Sequence, residues 1–274
     1  METLPTLADD GLVTPEVGGW GEDKYQLVRC YAGIFSRAMA GKWSSLIYVD
    51  FFAGAGRARL AGSHRIVPAS PLLVLDVPKP FTKYIFCELD ERNAESLRRR
   101  VDAHVPIRDA RVVAGDTNET ISDTVSLIPV GSLTFCFADP FRLENLHFTT
   151  VQTLAQKRRT DFLILLPSGM DANRNEVTYV KPHHQTVSNF TGQPDWRSRW
   201  PHPSLGFGDF VADEFGRAMA GLGYTYPGLP STKVIVNNKN VPLYRLAFFS
   251  KHPLGAKFWE ECRKYTDPQR FLFR

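Results

Sequence analysis

The sequence is short of the residue patterns that build disulfide scaffolds and metal centres. Its four cysteines are far apart and include no C-x-x-C pair, which disfavours disulfide frameworks and zinc ribbons. A reducing, cytoplasmic location is therefore expected. His183, His184 and His202 lack metal-ligand spacing with a fourth partner, so we predict no metal.

Long apolar runs are missing as well. The longest, such as residues 162–166, are far shorter than the ~20 residues that cross a bilayer, so no membrane partner is expected. Residues 1–16 carry acids and no apolar stretch, which disfavours a secretory signal.

An excess of charge of one sign is also absent. The 274 residues carry a formal net charge of +4, which permits a nucleic-acid partner without requiring one. The two basic clusters, residues 98–100 and 157–159, are typical of solvated helix ends. The 43% of hydrophobic residues is ordinary for a globular chain that is long enough to bury a core.

Apolar segments alternate with helical patterns along most of the chain. A predicted amphipathic helix begins at Trp20, and five apolar strands separated by helices then indicate a parallel sheet covered on both faces. The predicted strands are 46–52, 83–90, 110–116, 132–141 and 161–167. Two later strands, KVIVNN and LYRLAFFSK, favour an antiparallel hairpin at the sheet edge. The predicted fold class is α/β, a doubly wound, mostly parallel sheet with an antiparallel edge hairpin.

Domain organisation follows from the segments that break this alternation. Residues 1–18 contain proline and glycine with little periodicity, so we expect a flexible tail. Residues 19–274 show no internal repeat and no convincing linker, which indicates one domain. Residues 171–206, rich in Asn, His, Pro, Trp and Arg, are expected to be an insert in that domain.

The insert is the predicted substrate-binding element. Trp196 and Trp200 flank Arg197 and Arg199, and such a mixture of stacking surfaces and cations is typical of grooves for single-stranded nucleic acid. The same composition also fits a proline-rich lid that is packed by its own aromatic side chains.

The stretch IYVDFFAGAGRAR, residues 47–59, describes a strand that ends at a tight, ligand-accepting turn. A P-loop is disfavoured because no G-K-[ST] follows, and a dinucleotide fingerprint is disfavoured because Arg59 stands where a third glycine is required. An acid at the strand tip, followed by glycines four and six positions later, is instead typical of the first motif of S-adenosylmethionine (SAM) methyltransferases. Glycines allow the backbone to approach such a ligand closely.

Acids also end three later strands, in the segments Glu88-Leu89-Asp90, Gly115-Asp116 and Asp139-Pro140-Phe141. Each acid alone is most often a helix cap or turn residue. Together they point at the crevice where sheets of this kind bind ligands. An acid at the end of the second strand can accept the ribose hydroxyls, and one after the third can accept from the adenine amino group.

The sequence resembles the three-Cys-motif partner proteins, a branch of the class I methyltransferase-like proteins. The resemblance covers most of the chain and rests on the segments GGWGEDKYQLVRCY, YVDFFAGAG, PASPLLVL, YIFCELDERN, GD at 115–116, ADPF and FFSKHPLGAKFWEE. It implies a Rossmann-like class I methyltransferase fold and the cofactor SAM. It also implies a partner, because the family name refers to three cysteines in a neighbouring radical-SAM-like iron–sulfur protein.

The resemblance also implies which residues bind the cofactor. Glu88 is expected to bind the ribose, and Asp116 is expected to lie near the adenine. Lys24, one helix upstream of the turn, could bind the methionine carboxylate. A solvated helix lysine fits this position equally well. The expected cofactor residues are Lys24, Asp50, Phe52, Ala53, Gly54, Gly56, Glu88, Leu89, Asp116, Thr117 and Asp139.

The residues of the fourth predicted strand distinguish between two kinds of methyl transfer. Cytosine-C5 enzymes need a nucleophilic cysteine after a proline, whereas Cys136 follows Phe135 inside the strand. Amino-group enzymes use [DNS]-P-P-[YFW], which Asp139-Pro140-Phe141 resembles with one proline missing. We therefore assign these three residues as candidate catalytic residues for methylation of an amino group, perhaps in nucleic acid. The alternative is a non-catalytic SAM-fold binding module that acts through its partner.

Overall fold

The computed structural model describes residues 3–265 of the chain. Its strands are β1 (Glu16–Val17), β2 (Leu46–Asp50), β3 (Arg57–Leu60), β4 (Ile66–Pro68), β5 (Lys83–Glu88), β6 (Ala110–Ala114), β7 (Leu133–Ala138), β8 (Arg159–Leu166), β9 (Lys233–Val236) and β10 (Pro242–Phe249). Its α-helices are α1 (Gly21–Met39), α2 (Ser70–Leu75), α3 (Glu91–Asp102), α4 (Thr117–Ser126), α5 (Phe148–Lys157), α6 (Asn173–Tyr179), α7 (Thr186–Thr191), α8 (Phe207–Gly221) and α9 (Pro253–Tyr265). No helix within these residues is long and apolar enough to cross a membrane.

Seven strands form the main sheet in the order β6-β5-β2-β7-β8-β10-β9. The first five are parallel to one another, and β10 runs antiparallel to both β8 and β9. The predicted doubly wound, mostly parallel sheet with an antiparallel edge hairpin is therefore confirmed. The five predicted parallel strands all form, each within a few residues of its expected bounds.

Strand β2 lies in the interior of the sheet, between β5 and β7, and is apolar on both of its faces. Ile47 and Val49 pack into one buried cluster with α4, α5 and α8, while Leu46 and Tyr48 pack into another with α1, α3 and α9. Alternate side chains of a strand point to opposite faces, so a sheet with helices on both sides requires this unbroken apolar run.

The chain order places a ligand crevice beside β2. From β2 the chain proceeds outward through β5 to β6, and it then returns to the other side of β2 with β7. In sheets of this type ligands bind outside the carboxyl ends of the strands, at the point where the order reverses. Here that point lies between the ends of β2 and β7.

The N-terminal segment differs from the flexible tail that we expected. Residues 3–18 lie along the domain: β1 pairs with β3, which pairs with β4, and Leu7 bridges to Ile66. Two interactions explain the difference. Leu4 is buried in a small apolar cluster, and Asp10 pairs at 2.7 Å with Arg100, whose side chain would otherwise be a buried charge without a carboxylate. Residues 1–2 and 266–274 lie outside the described residues.

Candidate functional site

A cavity of about 330 Å³ opens at the predicted crevice, within the size range of small-molecule sites. Parts of the chain that are remote in sequence form its wall, among them the N-terminal segment with the start of α1, the glycine turn after β2, the segment after β7, and β10. Its lining includes Lys24, Tyr25, Phe52, Ala53, Gly54, Asn93, Asp139, Pro140, Phe141, Met170 and Tyr244.

The two glycines of the turn have different tasks. Both have positive φ, +63° at Gly54 and +83° at Gly56. A Cβ on Gly54 would meet no atom within 4 Å, whereas one on Gly56 would lie 2.9 Å from Leu97 Cδ1 of α3. Gly54 therefore leaves open space for a ligand, and Gly56 permits the close packing of the turn on α3.

Asp50 lies beneath the turn and does not line the cavity. It is completely buried and accepts hydrogen bonds from Tyr48 Oη at 3.1 Å and from the Phe52 backbone N–H at 3.2 Å. Burial raises the pKa of Asp50 to about 7, hydrogen bonds from Ser70, Phe52 and Tyr48 oppose that rise, and the charge of Asp139 adds to it. The structure thus gives Asp50 contacts that brace the turn.

Glu88 is the last residue of β5 and Leu89 follows it, and neither lines the cavity. Glu88 accepts from the Gly54 N–H at 2.7 Å and from Asn93 Nδ2 at 3.3 Å, so its carboxylate holds the turn in place. Leu89 is 68% exposed. Asn93 lines the cavity although the sequence reasoning did not single it out.

Asp116 and Thr117 lie at the same edge of the sheet, at the start of α4. Asp116 caps this helix and accepts from the Asn118 N–H at 2.8 Å, and Thr117 is buried. Neither lines the cavity. The common alternative for such an acid, a helix cap, is therefore realised at Asp116.

Lys24 and Asp139 form an ion pair in the cavity wall. The Lys24 ammonium donates to Asp139 Oδ2, and the side chains are 10% and 17% exposed. The ammonium also lies 5.0 Å from the centre of the Tyr25 ring. Burial lowers the pKa of Lys24, but the adjacent Asp139 carboxylate, together with smaller contributions from Tyr25 and Tyr244, raises the pKa above its usual value. Lys24 is thus a buried cation and not a solvated helix residue.

Tyr244 on β10 is a wall residue that the sequence reasoning missed. Its ring is 2% exposed, and its hydroxyl has no hydrogen-bond partner among the described residues. Burial raises the pKa of this phenol, which therefore stays neutral and can both donate and accept. Its segment reads as an ordinary apolar strand, so no local signal marks it.

Pro140 and Phe141 form the rim of the cavity. Phe141 is 66% exposed. Together with Met170 it also borders a second groove of about 450 Å³, lined further by Arg142, Arg174 and His184. A substrate lying in this groove would reach the cavity past the Phe141 ring.

The four insert residues predicted to bind substrate line neither the cavity nor the adjoining groove. Trp196 is completely buried, Trp200 packs on Phe207 and Phe210, and Arg199 pairs with Glu214. Arg197 donates to the backbone carbonyls of four residues, Tyr179, Val180, Lys181 and His184. The insert therefore packs on the rest of the domain, but its tryptophans contact Phe207 and Phe210 of α8 and not aromatic side chains of the insert itself.

The described residues offer neither a reactive thiol on β7 nor a metal-binding cluster. Cys136 is completely buried, and burial raises the pKa of its thiol well above the usual value, which makes it an inert thiol. Within residues 3–265, no three His, Cys, Asp or Glu side chains are grouped so that they could hold a metal ion.

No protein-family model matches the sequence, and no curated protein matches it. Among solved structures, protein LPL1258 of Legionella pneumophila aligns with 89% of this chain and 93% of its own, at 11% identity and a TM-score of 0.50. The O-methyltransferase TomG of Streptomyces achromogenes, solved in complex with SAM, aligns with 84% of this chain and 80% of its own at 14% identity and a TM-score of 0.46. Trm1 of Pyrococcus horikoshii, solved with S-adenosyl-L-methionine, aligns with 88% of this chain and 58% of its own, at 11% identity and a TM-score of 0.44. The sheet order, with β10 reversed between β8 and β9, is that of the predicted Rossmann-like class I methyltransferase fold.

Proposed function

We propose that this protein is an S-adenosylmethionine-dependent methyltransferase that acts on an amino group. One observation carries the proposal. The Asp139 carboxylate, anchored by the buried Lys24 cation, lines the same cavity onto which Gly54 opens. A cofactor turn and a carboxylate that can bind an amino group thus border one space.

The cavity fits an adenosyl cofactor in shape and in donor chemistry. Any other residue at position 54 would place its side chain in the open space in front of Gly54. Asn93 and the Tyr244 hydroxyl supply polar groups on the wall. SAM, when bound, supplies an electrophilic methyl group. Phe52, Ala53 and Gly54 would hold the cofactor. Glu88 and Asp116 now bond to backbone N–H groups, and they would bind the ribose and the adenine only after these hydrogen bonds changed.

The residues of the chain would position the nucleophile. Lys24 occupies Asp139 Oδ2 and leaves Oδ1 without a donor among residues 3–265. Oδ1 can accept a hydrogen of an amino group, and the Pro140 carbonyl could accept the other. Phe141 offers a flat apolar wall to a ring that carries this amino group. Positioning of this kind lowers the barrier by holding the reacting atoms in line.

Calorimetric titration of the protein with SAM, S-adenosylhomocysteine and NAD⁺ tests the cofactor part of the proposal. Micromolar affinity for both adenosyl compounds and none for NAD⁺ is the expected result. Absence of binding by all three would remove the methyltransferase proposal and leave a scaffold that acts through a partner.

Two variants test the role of the segment after β7. Asp139→Asn keeps the shape of the side chain and is expected to abolish methyl transfer to nucleic-acid or nucleoside amino groups, with binding of S-adenosylhomocysteine preserved. Because this change also removes the partner of Lys24, Phe141→Ala is needed as a second variant at an exposed position. It should fold normally and raise KM for a ring substrate. Unchanged kinetics in both variants would contradict the assignment.

The finer parts of the proposal come from the sequence. The resemblance to the three-Cys-motif partner proteins suggests a radical-SAM-like iron–sulfur partner, and the D-P-F segment suggests a nucleic-acid substrate. The second candidate function is a SAM-fold module that is inactive alone. It is favoured if the purified protein binds SAM but methylates only after the partner is added.

A further inference from the structure

A larger cavity, of about 660 Å³, lies at the opposite edge of the sheet, where the parallel strands begin. The starts of β7 and β8, Trp43 ahead of β2, and Lys251 and His252 after β10 border it. Because β10 is antiparallel to β8, its end lies beside the start of β8. The six residues of β7 separate this cavity from the candidate cofactor site by roughly 20 Å at about 3.3 Å per residue.

The lining of this cavity is strongly basic. Lys157, Arg158, Arg159 and Lys251 contribute four cations, and Asp161 is the only carboxylate that lines it among the described residues. No ion pair between described residues includes any of these four cations. The positive potential here is therefore not cancelled locally.

Three cations near the candidate cofactor site have carboxylate partners. Lys24 pairs with Asp139, Arg57 with Asp10 and Arg142 with Glu144. Cations outside any ion pair between described residues also occur elsewhere, as at Arg174 in the groove beside the candidate site, so the second cavity is distinguished by four such cations that border one space.

Aromatic rings support two of the unpaired cations. The Arg159 guanidinium lies 5.4 Å from the centre of the Trp43 ring, and the Lys251 ammonium lies 4.7 Å from that of Tyr224. A ring orients a cation without removing its charge. Both groups remain exposed, one at the start of β8 and one after β10, and so face the cavity from two sides.

Asp161 does not neutralise these cations. Its carboxylate accepts from Tyr31 Oη at 2.9 Å, on the inner side of the cavity. Burial raises its pKa to about 6, and hydrogen bonds from Ser250 and Tyr31 and the charge of His252 oppose that rise.

We propose that this cavity binds the phosphate groups of a nucleic-acid strand. Arg159, Lys251 and Lys157 contact successive phosphates, and the partly exposed Trp43 ring adds a stacking surface for a base. A strand fits better than a small phosphate compound because the cations come from three elements that border the cavity, the end of α5, the start of β8 and the segment after β10. This inference does not depend on the proposed methyl transfer.

The test is fluorescence anisotropy with a dye-labelled single strand of about 12 nucleotides. One double variant combines Arg159→Gln with Lys251→Gln. The control double variant combines Arg111→Gln with Lys239→Gln and removes the same charge from exposed positions outside this cavity. We expect the first variant to raise Kd about tenfold or more and to lower the salt slope by about 1.4. The control variant should bind like the wild type.

Other outcomes would overturn the inference. Equal losses in both variants would show an effect of net charge alone, and unchanged binding in the first variant would show that the cavity is not used. Displacement of the strand by inorganic phosphate or AMP at equal phosphate concentration would indicate a small-phosphate site instead. Affinity for S-adenosylhomocysteine, measured on the same variants, should not change, so failure of this inference and failure of the proposed function are separable.

Discussion

Lys24 and Asp139 are 115 positions apart in the sequence and form a buried ion pair in the wall of the candidate site. The pair joins the first helix to the segment after β7 and so connects the N-terminal part of the wall to the proposed substrate-binding carboxylate. The pair is also coupled by charge to Asp50 and to Tyr244.

Removal of the cation should destabilise the fold. In Lys24→Met the Asp139 carboxylate loses its partner in a largely buried position, and we expect a decrease of about 3 kcal/mol in the free energy of unfolding. Urea denaturation measures it. The double variant Lys24→Met, Asp139→Asn should recover much of the loss, because the uncompensated charge is then gone. Strictly additive effects of the two changes would show that the pair contributes nothing.

The buried Asp50 should make stability dependent on pH. Its pKa is raised from 3.8 to about 7, so the folded state binds the proton more tightly than the unfolded state. The resulting stability, about 4 kcal/mol, is present below about pH 4 and is lost as the pH rises through about 7. Asp50→Asn should flatten the profile of unfolding free energy over this interval.

Asp161→Asn provides the comparison for Asp50. Its pKa is raised to about 6, so this variant should flatten the same profile by a smaller amount and at lower pH. A wild-type profile that is level between pH 4 and 8, or that rises, would contradict the assignment of both groups.

The two turn glycines should separate binding from stability. Gly54→Ala places a methyl group in open space, so we expect about 1 kcal/mol of backbone strain at φ +63° together with a loss of S-adenosylhomocysteine binding of at least about tenfold. Gly56→Ala also clashes with Leu97 and should cost about 3 kcal/mol. Calorimetry and urea denaturation measure the two effects. If Gly54→Ala binds the ligand normally, the cavity is not the cofactor site.

Tyr244→Phe should have opposite effects on folding and on binding. The hydroxyl is buried without a partner, so its removal should leave the free energy of unfolding unchanged or raise it by about 1 kcal/mol. If a bound cofactor supplies the missing partner, affinity for S-adenosylhomocysteine should fall about tenfold. A matched change at Tyr48, whose hydroxyl bonds to Asp50, should instead destabilise the fold. Stability lost at Tyr244 with affinity unchanged would contradict this role.

Much of the architecture could be predicted from local pattern. Strands such as Leu46–Asp50 are apolar on both faces, and only a sheet covered by helices on both sides buries them. The turn after β2 and the acids after β5, β6 and β7 could also be placed at one edge, because parallel strands end together. The hairpin of β3 and β4 was not anticipated, since its short segments carry no periodicity of their own.

The sequence by itself thus determined which segments are strands and helices and which acids follow the strands, since periodicity and turn chemistry are local. Only the tertiary structure decided what those side chains touch. It buried Asp50 under the turn and made Asp116 a helix cap. It also brought Lys24 and Tyr244 to Asp139 and withdrew Trp196 into the core. Such contacts join residues on different elements, so they depend on how the elements pack, which no local pattern encodes.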